Sequence, residues 1–225
     1  MQFAELRAAG TAVISDVFDC FGVLPPVLDN ALRPVGALAS FAGPAYTVTG
    51  ELATWVGGDR AKLAAIDAMP QGVVAVWASQ DAKGVCCFGD LLASAMRVRG
   101  CVAAVVDGGV RDSAFLAGCG MPVVSRYVTP AQGIGRWRVT AAQAPVKVRG
   151  ALVEWLEVVP GDFLVGDADG VILIPQALID GVMRKVAEWS KSTARRVGRS
   201  RPDFLCWLPW INMGTYKVGR GGLIG

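Results

Sequence analysis

Three short apolar runs, "GVVAVWA" (72–78), "CVAAVVD" (101–107) and "MPVVSR" (121–126), alternate with two stretches of helical spacing, "GDLLASAMRVRG" (89–100) and "RDSAFLAGCG" (111–120). Uninterrupted apolar runs of this length suit strands that are covered on both faces. Strands joined by helix-length connections pair in parallel, with the helices packed on the sheet. Residues 72–126 therefore predict a strand–helix–strand–helix–strand unit, and the chain is of the α/β class.

The flanking segments extend this frame. "TAVISDVFDCFG" (11–22) predicts a short helix with Thr11 as N-cap, Val13, Ile14, Val17, Phe18 and Phe21 as its apolar face, and Gly22 as its stop. "AYTVTG" (45–50) predicts a strand, and "DRAKLAAIDAM" (59–69) a helix halted by Pro70. From 137 to 175 the apolar runs are cut by "RG" (149–150), "PGD" (160–162) and "DADG" (167–170), which leaves no room for helices and predicts antiparallel strands and hairpins. Pro175 then opens a helix over roughly 176–197. One domain over 1–200 is expected, followed by a tryptophan-rich segment, 201–225. There Phe204, Leu205, Trp207, Leu208, Trp210 and Ile211 are expected to pack on this chain or on a neighbouring subunit.

Composition removes several chemistries. The chain has no histidine, so Ser-His-Asp and Cys-His machinery and imidazole metal ligands are excluded. Its six cysteines, at 20, 86, 87, 101, 119 and 206, form no CxxC pair, which argues against zinc. The adjacent Cys86 and Cys87 read as packing residues. A net charge of +3 gives no reason to expect nucleic acid as a partner; the basic stretch 184–201 reads as a solvated helix face. With no signal peptide at the start and no run of membrane-spanning length, a cytoplasmic setting without membrane contact is expected.

Chemistry is concentrated in two loops. In "FGDLLASA" (88–95) a glycine and an acid precede an apolar helix, so the free N–H groups of the first turn could receive an anion. Plain capping by Asp90 explains the same pattern. In "VVDGGVRDSA" (105–114) a strand reads as ending at Asp107, Gly108–Gly109 as a sharp turn, and Arg111–Asp112 as a pair emerging at the carboxyl edge of the sheet. That edge is where ligands sit in open α/β sheets, although an Arg–Asp surface pair fits as well. A helix and a parallel strand join the loops, which brings both to one edge. Amides, a guanidinium and the carboxylates of Asp90, Asp107 and Asp112 then suit Mg²⁺ or Mn²⁺ and a small 2-oxo acid, with Asp107 expected chiefly to shape the turn that aims Arg111 and Asp112.

The stretch "FGDLLASAMRVRGCVAAVVDGGVRDSAFLAGCGMPVVSR" (88–126) closely resembles the RraA-like family, which includes the 4-hydroxy-4-methyl-2-oxoglutarate aldolases. Supporting similarity runs through "VISDVFDCFG" (13–22), "FAGPAYTVTG" (41–50), "APVKVRGALVEWLEVVPGD" (144–162) and "GDADGVILIP" (166–175). The resemblance implies a three-layer β/β/α fold with a mixed sheet, assembled as a homotrimer or a hexamer of two trimers with sites between subunits. It implies that Gly89, Asp90, Leu91 and Leu92 bind the pyruvate end of a substrate. Arg111 would contact the C2 oxygen and steady the enolate, Asp112 would hold the divalent metal, and Asp90 would orient a water for proton transfer. The activity implied is retro-aldol cleavage to pyruvate with oxaloacetate decarboxylation beside it; the alternative is a non-catalytic regulator that binds ribonuclease E. Aldolase-branch members add an acid from the C-terminal helix of the adjacent subunit. Here Ser192 falls near that place and Glu188 one turn earlier, so Glu188 either substitutes or the metal site is weaker.

Overall fold

The computed structural model describes residues 3–37 and 39–196, with 191–196 described by backbone alone. Ser192 falls within that last stretch, and the tryptophan-rich segment 201–225 lies outside the described residues. In chain order the elements are α1 (Phe3–Cys20), β1 (Arg33–Pro34), β2 (Phe41–Leu52), α2 (Arg60–Asp67), β3 (Val74–Ala78), β4 (Cys86–Phe88), α3 (Asp90–Val98), β5 (Ala103–Val110), α4 (Ser113–Gly118) and β6 (Val123–Val128). They continue with β7 (Trp137–Ala142), β8 (Val146–Arg149), β9 (Trp155–Val158), β10 (Phe163–Gly166), β11 (Val171–Ile174) and, after a 3₁₀ turn at Gln176–Leu178, α5 (Ile179–Arg196).

The three apolar runs are the parallel centre of a mixed, curled sheet: β3 pairs β5, and β5 pairs β6, all parallel. Their alternation separates two cores. From β3, Ala75 and Trp77 pack with Ala65 and Ile66 of α2 and Ala93 and Met96 of α3. Val74, Val76 and Ala78 face the other way, onto Val146 and Val148 of β8 and Val158 of β9. Helices, sheet and β-hairpin thus form the three layers of a β/β/α fold. The 137–175 region is antiparallel as predicted, with β8 on β9, β10 on β11 and β7 on β2.

Strand β2 is longer than predicted and serves two units. Its first residues, Phe41–Pro44, pair antiparallel with β10, while Ala45–Thr49 pair parallel with β3. The β10–β11 hairpin carries a third core, in which Phe163, Val165, Ile172 and Ile174 meet Ile14, Val17 and Phe18 of α1 and Val182 and Val186 of α5.

Two local expectations are corrected. The helix near the start begins at Phe3, kinks at Gly10, and its second part is not capped by Thr11. Instead Asp167, from the "DADG" turn, accepts both the Thr11 N–H and the Thr11 hydroxyl, each at 2.7 Å. A carboxylate at the start of that helical segment satisfies a free amide and complements the helix dipole. Phe21, placed on the apolar face, is instead 40% exposed.

Candidate active site

Strand β5 does not stop at Asp107. It runs on to Val110, and Gly108–Gly109 lie inside the strand at a register shift against β6. The glycines therefore make no sharp turn. Gly109 is required by close approach: a Cβ there would lie 2.7 Å from the Val85 carbonyl oxygen and collide with the Tyr127 ring. Gly109→Ala is expected to cost about 1–3 kcal/mol through overpacking. Urea unfolding would show it as a lower midpoint with an unchanged slope.

The two loops do meet. Asp112 is the N-terminal residue flanking α4, held in the left-handed region at φ 55°. Its Oδ2 accepts the Asp90 N–H at 3.2 Å and lies 3.3 Å from Arg111 Nε. The Arg111 N–H in turn donates to the Phe88 carbonyl at 3.1 Å, which holds the start of one loop against the end of the other. Gly89 is the residue before α3, in extended conformation. A Cβ there would lie 2.8 Å from Asp112 Oδ2 and 3.2 Å from Arg111 Cγ, so only glycine lets the loops touch.

Of the two readings of the first loop, plain capping by Asp90 is not what the structure shows. Gly89 is the N-cap residue and carries no side-chain cap, while Asp90 Oδ1 accepts the neighbouring Leu91 N–H at 2.6 Å. At the same helix start the Asp90 N–H donates to the chain's own Asp112 carboxylate. Leu91 is 75% exposed, whereas Leu92 leans on the core beneath α3. Arg111 and Asp112 are each about one-third exposed, and the site is open on this side.

The donor set fits a hard divalent cation. Asp112 Oδ1 and Asp90 Oδ2 make no hydrogen bond among the described residues, and Mg²⁺ is held through one or two carboxylates with waters completing its shell. Among the described residues no group of three or more His, Cys, Asp or Glu gathers for a metal. Glu188 does not join the site within the chain. It lies on α5, which packs on α1, and pairs with Lys185 at 3.1 Å. Two buried thiols are held protonated: burial pushes Cys87 up to about 12 and Cys101 up to about 11.

Asp107, expected to shape a turn, lies instead within β5 and is buried. Its buried carboxylate contacts Arg126 Nε and accepts the Arg149 N–H at 3.1 Å, on the hairpin side of the sheet. Arg126 also reaches Asp29 at 3.0 Å, and Arg149 binds Asp81 and Glu154 while stacking on Trp155 at 3.9 Å. Burial pushes the Asp107 carboxyl up against the pull of Arg126, while the Arg149 guanidinium holds Asp81 below the usual carboxylate range. Sequence reading missed this network. Its one trace was an acid ending an otherwise apolar strand, which signals a buried partner as readily as a turn.

A family model described as RraA-like, Aldolase/RraA, matches residues 11–173. The chain belongs to the RraA-like family. A Halalkalibacterium halodurans relative of this family, provisionally named 4-hydroxy-4-methyl-2-oxoglutarate aldolase, is 32% identical over 189 residues, which cover 80% of each chain. A Burkholderia mallei protein with the same provisional name is 32% identical over 155 residues, 68% of this chain and 87% of its own. The solved structure of Streptomyces coelicolor RraAS2, described as an unusual member of the RNase ES inhibitor RraA protein family, superposes with a TM-score of 0.72. It is 20% identical, over 89% of this chain and 96% of that one, and shows the shared RraA-like fold. No helix among the described residues is long and apolar enough to cross a membrane.

Proposed function

We propose that this RraA-like chain is a divalent-metal-dependent carbon–carbon lyase. It would cleave 2-oxo-4-hydroxy acids of the 4-hydroxy-4-methyl-2-oxoglutarate type to pyruvate and decarboxylate oxaloacetate through the same enolate. The observation that carries this reading is the meeting of the Asp90 N–H, Arg111 Nε and the Asp112 carboxylate at 3.2 and 3.3 Å on one sheet edge.

The amides of Gly89–Leu92 receive the carboxylate of the pyruvate half, which replaces Asp112 at the Asp90 N–H and Asp90 at the Leu91 N–H. The Arg111 guanidinium faces the C2 oxygen. As the C3–C4 bond breaks, its electrons become the C2–C3 double bond and negative charge gathers on that oxygen, where a fixed cation lowers the barrier. In the retro-aldol case the 4-hydroxyl gives its proton to the water held by Asp90 as the carbonyl product forms. In oxaloacetate, carbon dioxide departs instead. Asp90 Oδ2, free of intrachain bonds, relays a proton through water to C3, which completes pyruvate. Asp112 would hold Mg²⁺ or Mn²⁺, which polarises the 2-oxo acid as a Lewis acid. Among the described residues the chain contributes only these carboxylates, so a trimer or a pair of trimers, in which Glu188 on α5 of one copy approaches the site of another, is part of the proposal.

A coupled pyruvate-release assay tests it, with 4-hydroxy-4-methyl-2-oxoglutarate and oxaloacetate, each with Mg²⁺ and with EDTA. Turnover with metal and its loss in EDTA are expected. Absence of metal-dependent turnover of both substrates would overturn the lyase and leave a ribonuclease-binding regulator as the reading to pursue.

A further inference from the structure

Tyr127 lies on β6, opposite Gly109 of β5. Its ring occupies the space a side chain at 109 would need. Its hydroxyl donates to the Ala82 carbonyl at 2.7 Å and lies 3.1 Å from that of Val85. One side chain therefore touches both approaches to the site. On one side it presses on β5 two residues before Arg111. On the other it grips the segment that becomes β4 and then Gly89. Weaker ties accompany it: Thr129 Oγ1 sits 3.4 Å from the Gly84 carbonyl, and the Cys86 N–H donates to Ala131 at 2.8 Å. Beyond this point β4 runs beside β5, with Phe88 against Val110, and delivers Gly89 to Asp112.

We propose that Tyr127 is a positioning residue whose hydroxyl sets where Gly89–Leu92 stand relative to Arg111 and Asp112. The inference deepens the lyase reading and rests on it for its kinetic consequence. The loop amides hold the substrate carboxylate equally in ground and transition states, so loosening them raises KM and spares kcat. A purely structural loss does the reverse: it lowers the active fraction, and apparent kcat falls at constant KM.

Tyr127→Phe keeps the ring against Gly109 and removes only the hydroxyl. The test compares it with the wild-type full chain in steady-state oxaloacetate kinetics with Mg²⁺, in pyruvate titration, and in hydrogen–deuterium exchange. KM and the pyruvate dissociation constant are expected to rise about tenfold, the scale on which small misplacements act, with kcat within about twofold. Exchange should quicken in 82–92 and not in α1 or β10. Thr129→Val, which removes the weaker tie to Gly84, should give a smaller change of the same pattern. Unchanged KM, pyruvate affinity and 82–92 exchange, with or without a lower Tm, would overturn the proposal. Should the wild-type chain release no pyruvate, the lyase reading falls, while exchange confined to 82–92 still supports the hold of Tyr127 on the loop.

Discussion

Arg111→Ala is expected to lower the proposed metal-dependent pyruvate release by about a thousandfold in kcat, the upper range for losing one donor at a developing oxyanion. The guanidinium is one-third exposed, and its pair with Asp112 spans 3.3 Å. Exposed pairs add little to stability, so the thermal midpoint should stay close to that of the wild type. Arg111→Lys should recover only part of the rate. An ammonium is a point charge on a flexible stem, and it does not reproduce the planar fork that reaches Asp112 through Nε. Initial rates with saturating oxaloacetate, alongside a circular-dichroism melt, decide the matter. A kcat within about fivefold of wild type for Arg111→Ala would remove this residue from the proposed chemistry.

Asp107→Ala should have the opposite signature, a large loss of stability whose effect on chemistry is indirect. Asp107 is 2% exposed and Arg126 19%. Deleting the carboxylate leaves the Arg126 guanidinium with Asp29 alone and the Arg149 N–H without its acceptor. Breaking a buried pair by removing one partner costs about 3–5 kcal/mol, because the remaining charge is uncompensated. The retained Asp29 contact places the expected loss toward the lower end. Asp107→Asn, which keeps the shape and one acceptor, should lose less. Urea unfolding of the three proteins gives the comparison. A loss below about 1 kcal/mol for Asp107→Ala would mean that the network is not what joins β5 to the β8–β9 hairpin.

The parallel centre was legible because β3, β5 and the first half of β6 are buried on both faces, and continuous apolar runs separated by helical spacing have few other solutions. The pairing of the two site loops was legible for a similar reason: one helix and one strand join them, and parallel order forces both to the same edge. The 39-residue resemblance over 88–126 then named the roles. What escaped were contacts between distant segments. Asp167 lies 156 residues from the Thr11 it caps, and no local pattern announces such a bond. The Asp107 network draws on the loop at Asp29, the turn at Asp81 and strands β5, β6 and β8, each of which reads by itself as an ordinary surface charge. Strand β4 has three residues, too few to display a period. The extension of β5 to Val110 was hidden because an acid and two glycines look like punctuation, whereas here the acid is buried and Gly109 makes room for a tyrosine.

Strand β2 contributes no residue to the proposed chemistry, yet it is common property of the two halves of the molecule. Its opening residues belong to the β10–β11 arm and the rest to the site-bearing sheet. Side chains alternate along a strand, so a slip of one residue would turn both cores inside out together. Neither half can therefore choose its alignment independently. The edge that presents Arg111 and Asp112 and the arm that carries α5 are indexed to a single ruler, and an insertion within β2 would throw both out of step at once.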